Sequence, residues 1–212
     1  AKINKILELK PDLVLGFSDV QSDICSTLIK KGINVLCFNQ RSISEILNVI
    51  KFLGKIIDKR DKSENYVKNL EVYLKKIASS SKSLNKKPRV YFEEWDDPMI
   101  TGIKWVSELI EIAGGIDIFK NLSSEPLASD RIIQDPQDIL NANPDIIIAS
   151  LCGKKVNKEK IIARNKWDKI RAVQDNQIYE IKSPLILQPG PAALTDGAKE
   201  IQDIIFRWKA SI

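Results

Sequence analysis

Residues 61–81 run without a glycine or proline, and this stretch restricts the fold more than any other. Its large apolar residues, Tyr66, Val67, Leu70, Tyr73, Leu74 and Ile77, recur at the three- and four-residue intervals of one helix face. At about 1.5 Å per residue such a helix reaches roughly 30 Å, the width of a small domain rather than of one packed layer. It is therefore expected to act as a strut between two lobes. Asp61 or Ser63 is placed to cap its first turn, and Lys75 and Lys76 suit the negative end of its dipole. The segment that follows has no regular apolar face, so the backbone helix is assigned to 61–85, with an N-terminal lobe at 1–60 and a C-terminal lobe at 86–212.

Both lobes read as α/β. In the first, residues 3–9 form a short helix ended before Pro11, and 12–16 read as a short, buried parallel strand. Ser18 or Asp19 then caps a helix with Ile24, Cys25 and Leu28 inward, closed by Lys30, Lys31 and Gly32. Residues 33–38 are the next strand. Ser42 and Glu45 form a capping box for a helix with Ile43, Ile46, Leu47, Ile50, Leu53 and Ile57 on one face.

In the second lobe, 89–93 read as a strand and 94–98 as the loop at its carboxyl end. A helix over 103–113 turns Trp105, Val106, Leu109 and Ile110 inward and stops at Gly114 and Gly115. A short helix follows Asp135 and Pro136, then a strand at 146–149, a helix at 158–164, a strand at 177–181, an irregular loop at 182–191 and a last helix over 193–209.

One internal repeat links the lobes. Ile6-Leu7, three residues, Pro11-Asp12, three aliphatics and a small residue match Ile139-Leu140, three residues, Pro144-Asp145, three aliphatics and Ala149. Each copy precedes a helix and another strand, which implies two α/β units with parallel sheets. The second unit has a strand and helix ahead of its copy that the first lacks, so the N-terminal lobe is expected to be truncated. In open parallel sheets ligands sit outside the carboxyl ends of the strands, so the two lobes are expected to face each other across a ligand cleft.

Composition narrows the chemistry. Of 212 residues 43% are hydrophobic, enough for a core or two modest ones. No apolar run approaches the ~20 residues needed to cross a bilayer, and the start shows no signal-peptide core, so contact with a membrane is expected to be peripheral at most. The net charge of +5 comes mainly from lysines scattered over helix faces, with no basic block interleaved with aromatics, which argues against nucleic acid. Histidine is absent, which removes Ser-His and Cys-His nucleophile pairs and the commonest metal ligand. Cys25, Cys37 and Cys152 lack metal-site spacing and read as buried thiols. Glu93, Glu94, Asp96 and Asp97 surround Trp95, but strand alternation sends Glu93 and Glu94 to opposite faces, so the four cannot converge on one metal or one reacting atom. Trp105, Trp167 and Trp208 read as core, and Trp95 as a stacking plate. The spacing of Cys152, Gly153, Lys154 and Lys155 does not make a phosphate loop. The reading is of a binder rather than an enzyme, with a small α/β enzyme using residues 94–97 as the alternative.

The order PDLVLGF, INVLCF, SISEILNVIKFLG, a long helix, RVYFEEWDDPMITGIKWVSELIEIAGGIDIF, DPQDILNANPDIIIAS and EIKSPLILQPGPAALTDG resembles the cobalamin-type, helical-backbone (class III) substrate-binding proteins of ABC importers. The resemblance covers essentially the whole chain and is most specific at 89–119 and 182–197. It implies two lobes on a rigid helix that close little, capture of a corrinoid or, in wider relatives, a ferric siderophore or haem, and delivery to a membrane permease by a monomer outside the cytoplasmic membrane. No cofactor is implied, the corrinoid being cargo. Ligand contacts are expected from Phe17, Ser18, Glu94, Trp95, Asp96, Asp97, Leu151, Cys152, Ser183, Pro184 and Leu185. Family members place a glutamate on each lobe to meet permease arginines; the matching positions here are Asn4 and Gln137, with Asp138 the nearest carboxylate.

Overall fold

Helix α1 (Ile3–Glu8) leads through Pro11 into β1 (Val14–Phe17), and a 3-10 turn (Asp19–Gln21) and α2 (Ser22–Lys30) carry the chain to β2 (Val35–Phe38). The strands pair in parallel from Val14 opposite Val35 to Phe17 opposite Phe38. Residues 2–211 are described in this computed structural model, and they divide into two units between Gln40 and Arg41.

In the first unit Cys25 and Leu28 of α2 are buried as expected, but β1 is not a buried strand: Leu13 and Leu15 are exposed, Leu15 to 50%, and only Gly16 is covered. A two-stranded sheet presents alternate residues to opposite sides, and 13 and 15 share the outer one. Ser18 Oγ accepts from Val20 N at 3.4 Å and so caps the 3-10 turn ahead of α2.

The second unit opens with α3 (Ile43–Ile56), started by the capping box: Glu45 N donates to Ser42 Oγ at 3.3 Å and Ser42 N to Glu45 Oε2 at 2.9 Å. Removing the cap with Ser42→Ala should cost about 1 kcal/mol. The amide of Arg41, donating to the same carboxylate at 2.6 Å, is the main reason Glu45 is held below the usual carboxylate range. A carboxylate with a depressed folded-state pKa stabilises the fold above its unfolded value, and the contribution is lost as pH falls through the folded value. Glu45→Gln should therefore destabilise the protein at neutral pH and become nearly silent in strong acid, as urea melts across pH would show.

Helix α4 (Arg60–Ser81) is the long element expected from the sequence, with Val67, Leu70, Leu74 and Ile77 buried. Tyr66 falls off the buried stripe, at 42% exposure. Neither Asp61 nor Ser63 caps it. The turn between α3 and α4 is so tight that Lys59 N donates to Gly54 O, Ser63 N to Lys59 O and Ser63 Oγ to Arg60 O. The backbone bonds take the place of a side-chain cap. The two helices also touch here: a Cβ on Gly54 would stand 2.0 Å from Ser63 Oγ. Because α3 packs along α4, it belongs to the second unit, and the units divide ahead of the boundary at 60 expected from the sequence.

The sheet of this unit is built from β3 (Arg89–Asp96), β4 (Met99–Thr101), β5 (Ile116–Asp117), β6 (Ile146–Ala149) and β7 (Ile178–Glu180). Its order is β4-β3-β6-β7, with β5 beside the start of β3, and only β4 is antiparallel. Val90, Tyr91 and Phe92 pair with Ile146, Ile147 and Ile148, all without exposure, as strands covered on both faces require. Around the sheet lie α5 (Lys104–Ile112), α6 (Lys120–Ser123), α7 (Gln137–Ala142), α8 (Lys158–Ile162), α9 (Arg171–Gln174), α10 (Ser183–Ile186) and α11 (Ala198–Ser211). Three details differ from the sequence reading. Residues 94–96 continue β3 rather than forming a loop, the supposed irregular loop at 182–191 contains α10, and the last helix begins with a π-helical turn at Ala193–Gly197.

The repeat is visible in both units as helix, Pro-Asp and strand. Lys10 and Asn143, the residues before the two prolines, share a left-handed backbone, at φ 48° and 44°. The copies part at the aspartates: Asp12 is exposed, whereas Asp145 is buried and accepts from Arg89 N at 2.8 Å and Arg171 Nη1 at 2.7 Å.

Candidate ligand-binding site

Strand β3 turns through the Asp97–Pro98 peptide, which is cis, into β4. Glu93 pairs with Thr101 and Trp95 with Ile100, leaving Glu94 as an extra residue. This bulge reverses the alternation, so Asp96 returns to the face of Glu93 and Glu94 stands opposite them.

Both faces are pinned by charge. Glu93, with no exposure, accepts from Arg164 Nη2 at 2.9 Å and from Tyr91 Oη at 3.1 Å. Burial first, then the Glu93 charge, pushes the Tyr91 phenol well above its ordinary value. On the opposite face Glu94 accepts from Arg131 at 2.7 and 3.0 Å and from Ile103 N at 3.1 Å. Arg131 is 2% exposed. The Glu94 carboxylate, expected at the ligand, is thus held by Arg131 and left 20% exposed. Burial works to raise Asp96, but the hydrogen bond and charge of Lys154 hold it below the usual carboxylate range. Lys154 Nζ also lies over the Trp95 ring, 4.0 Å from its centroid, and Trp95 Nε1 donates to Asp97 O at 2.9 Å.

At the carboxyl ends of β6 and β7 a cavity of about 270 Å³ is lined by Leu151, Gly153, Lys154, Lys155, Glu180, Lys182, Ser183 and Pro184. It gathers three of the residues expected at the ligand, Leu151, Ser183 and Pro184. Cys152 is exposed beside it and Leu185 is half-buried on α10. Asp96 joins Leu151 and Lys154 around an adjoining cavity of about 120 Å³, while Asp97 is exposed at the hairpin turn. In the first unit Ser18 is buried, with a backbone φ of 60°, and lines a cavity of about 640 Å³; Phe17 is half-buried and not part of its wall. Asn4 is exposed on α1, and Gln137 and Asp138 are exposed on the first turn of α7, where Gln137 Nε2 donates to Asn141 Oδ1.

Sequence reasoning missed Arg131 and Arg164, whose partners lie 37 and 71 residues away, and undervalued Lys154. The expectation of three buried cysteines also fails, because Cys37 and Cys152 are exposed. Among the described residues no group of three or more His, Cys, Asp or Glu gathers as a metal would need, and no helix is long and apolar enough to cross a membrane.

The sequence model of one family, described as periplasmic binding protein, matches residues 1–185. The chain belongs to the periplasmic binding protein family. No curated protein matches it. An ABC transporter substrate-binding protein from Listeria monocytogenes is similar, at 23% identity and a TM-score of 0.81, over 97% of this chain and 80% of that one. S. aureus IsdE complexed with heme aligns at 18% identity and 0.79, over 96% and 80%. The periplasmic vitamin B12 binding protein BtuF of Vibrio cholerae aligns at 21% and 0.69, over 98% and 78%. At these identities the likeness is one of fold. The periplasmic binding protein fold accounts for the parallel strands and the long α4.

Proposed function

We propose that this periplasmic binding protein captures a corrinoid such as cobalamin outside the cytoplasmic membrane and delivers it, without turnover, to the permease of an ABC importer. The observation that carries this reading is the rim of the second unit, where Trp95 offers an aromatic edge and Lys154, Lys155 and Lys182 surround one cavity. An aromatic edge beside phosphate-matching ammonium groups suits a large macrocycle carrying a phosphodiester. A corrinoid also brings its own axial base, so a chain without histidine can read its periphery and leave the metal alone. In the second unit Trp95, Asp96, Asp97, Leu151, Ser183, Pro184 and Leu185 are the proposed contacts, with Cys152 at the margin; the first unit's own candidates are Ser18 and, at the margin, Phe17. Asn4, Gln137 and Asp138 are the proposed permease-facing positions; two of them are uncharged, so docking there would rest on polar contacts rather than ion pairs.

The lysines equally match the carboxylates of haem or of a ferric siderophore, which is the second reading. Titration with cyanocobalamin and with haemin, read by Trp fluorescence and co-elution on a desalting column, separates them. Retention of cyanocobalamin near one per chain is expected, and Lys155→Glu with Lys182→Glu should weaken it by about tenfold or more. Retention of haemin alone overturns the corrinoid reading in favour of the second, and retention of neither overturns the corrinoid and haem readings and leaves a ferric siderophore as the ligand to titrate.

A further inference from the structure

We propose that Cys25 and Cys37 form a thiol–disulfide site in the wall of the first unit's cavity. The register of β1 and β2 sets Cys37 opposite Gly16, and Cys25 reaches the same spot from α2. A Cβ on residue 16 would stand 2.9 Å from Cys25 Sγ and 3.3 Å from Cys37 Sγ. Two sulfurs therefore fill the place that any other side chain at this position would occupy. Desolvation of its sulfur, then the neighbouring Cys25 thiol, pushes the Cys37 thiol up. Both line the cavity of about 640 Å³ with Ser18, Asp19, Phe38 and Asn39.

The two thiols differ in access, which sets the order of events. Cys37 is exposed and meets a small-molecule disulfide first; its thiolate attacks one sulfur and displaces a thiol, leaving a mixed disulfide. The buried Cys25 thiolate then attacks Cys37 Sγ, expelling the second small thiol. Two protein thiols are oxidised by one electron each, the reagent is reduced by two, and both protons leave on the released thiols. The bond staples α2 to β2 beside Ser18, whose carbonyl already lies 3.9 Å from Cys37 Sγ.

The test is equilibration of the whole folded chain with oxidised glutathione, then an acid quench, denaturation, maleimide labelling and peptide mass mapping. The expected result is a Cys25–Cys37 linked peptide with no glutathione retained on either, while exposed Cys152, which has no second thiol in its own unit, is labelled or carries glutathione but is linked to neither. Cys25→Ser should trap glutathione on Cys37, and Gly16→Ala, which keeps both cysteines but wedges a methyl between them, should slow linkage several-fold. Labelling of all three thiols, or stable glutathione on Cys37 with Cys25 intact, would overturn the proposal. So would linkage as fast in the urea-unfolded chain as in the folded one.

Discussion

Replacing Arg164 with methionine should lower the free energy of unfolding by about 3–5 kcal/mol, because it strands a carboxylate inside the fold. Glu93 has no exposure, and with Arg164 gone its remaining partner is the Tyr91 hydroxyl. The matching experiment is a urea melt of four chains: the parent, Arg164→Met, Glu93→Gln and the double variant Arg164→Met with Glu93→Leu. The double variant should recover much of the loss, since removing both charges leaves nothing to desolvate. Arg164→Lys should recover only part, because an ammonium cannot reproduce the paired bonds of a guanidinium. If Arg164→Met melts within about 1 kcal/mol of the parent, the pair is a surface contact in solution and the account of the hairpin given above is wrong.

Trp167→Ala is expected to cost about as much, roughly 3–5 kcal/mol, for a different reason. The indole is 2% exposed and meets Tyr91 edge-on at 6.1 Å between ring centroids. The Arg164 guanidinium lies 4.5 Å above it. Truncation removes dispersion contacts and the plate that holds the guanidinium against Glu93. Because the two side chains touch, the losses from Trp167→Ala and Arg164→Met should sum to more than the double variant loses. Strict additivity in denaturant melts would show that Trp167 packs without positioning Arg164.

Trp167, Trp105 and Trp208 illustrate what the sequence made legible. Trp105 and Trp208 sit on apolar helical stripes, and a large aromatic on such a stripe has nowhere else to go; all three are buried. The Ser42–Glu45 box, the end of α5 at Gly114 and the aliphatic strand β6 were readable for the same reason, since each is decided by neighbours within a few residues. The bulge at Glu94 was not readable. It depends on how β3 registers against β4, and no local propensity separates a bulged strand from a strand followed by a loop. The arginine pairs were hidden because each joins segments far apart in sequence, and Arg164 looked like an ordinary helix end. Cys25 and Cys37 looked like unrelated thiols until the parallel register placed both against Gly16. In the site, the chain positions of the strand ends were legible, whereas which side chains remain available there was decided by ion pairs formed elsewhere.

The extra residue in β3 also makes the hairpin sensitive to chain length in a particular way. Deleting Glu94 would not merely shorten the strand. It would restore a regular ladder in which Trp95 still faces Ile100 and Asp96 still faces Met99, while Arg131, 2% exposed, loses its carboxylate partner. A buried guanidinium would then stand without its counter-charge, and Ile103 N without its acceptor. The cost of such a deletion would therefore fall inside the fold, on Arg131, rather than on the cluster of Trp95, Asp96 and Lys154 at the strand end.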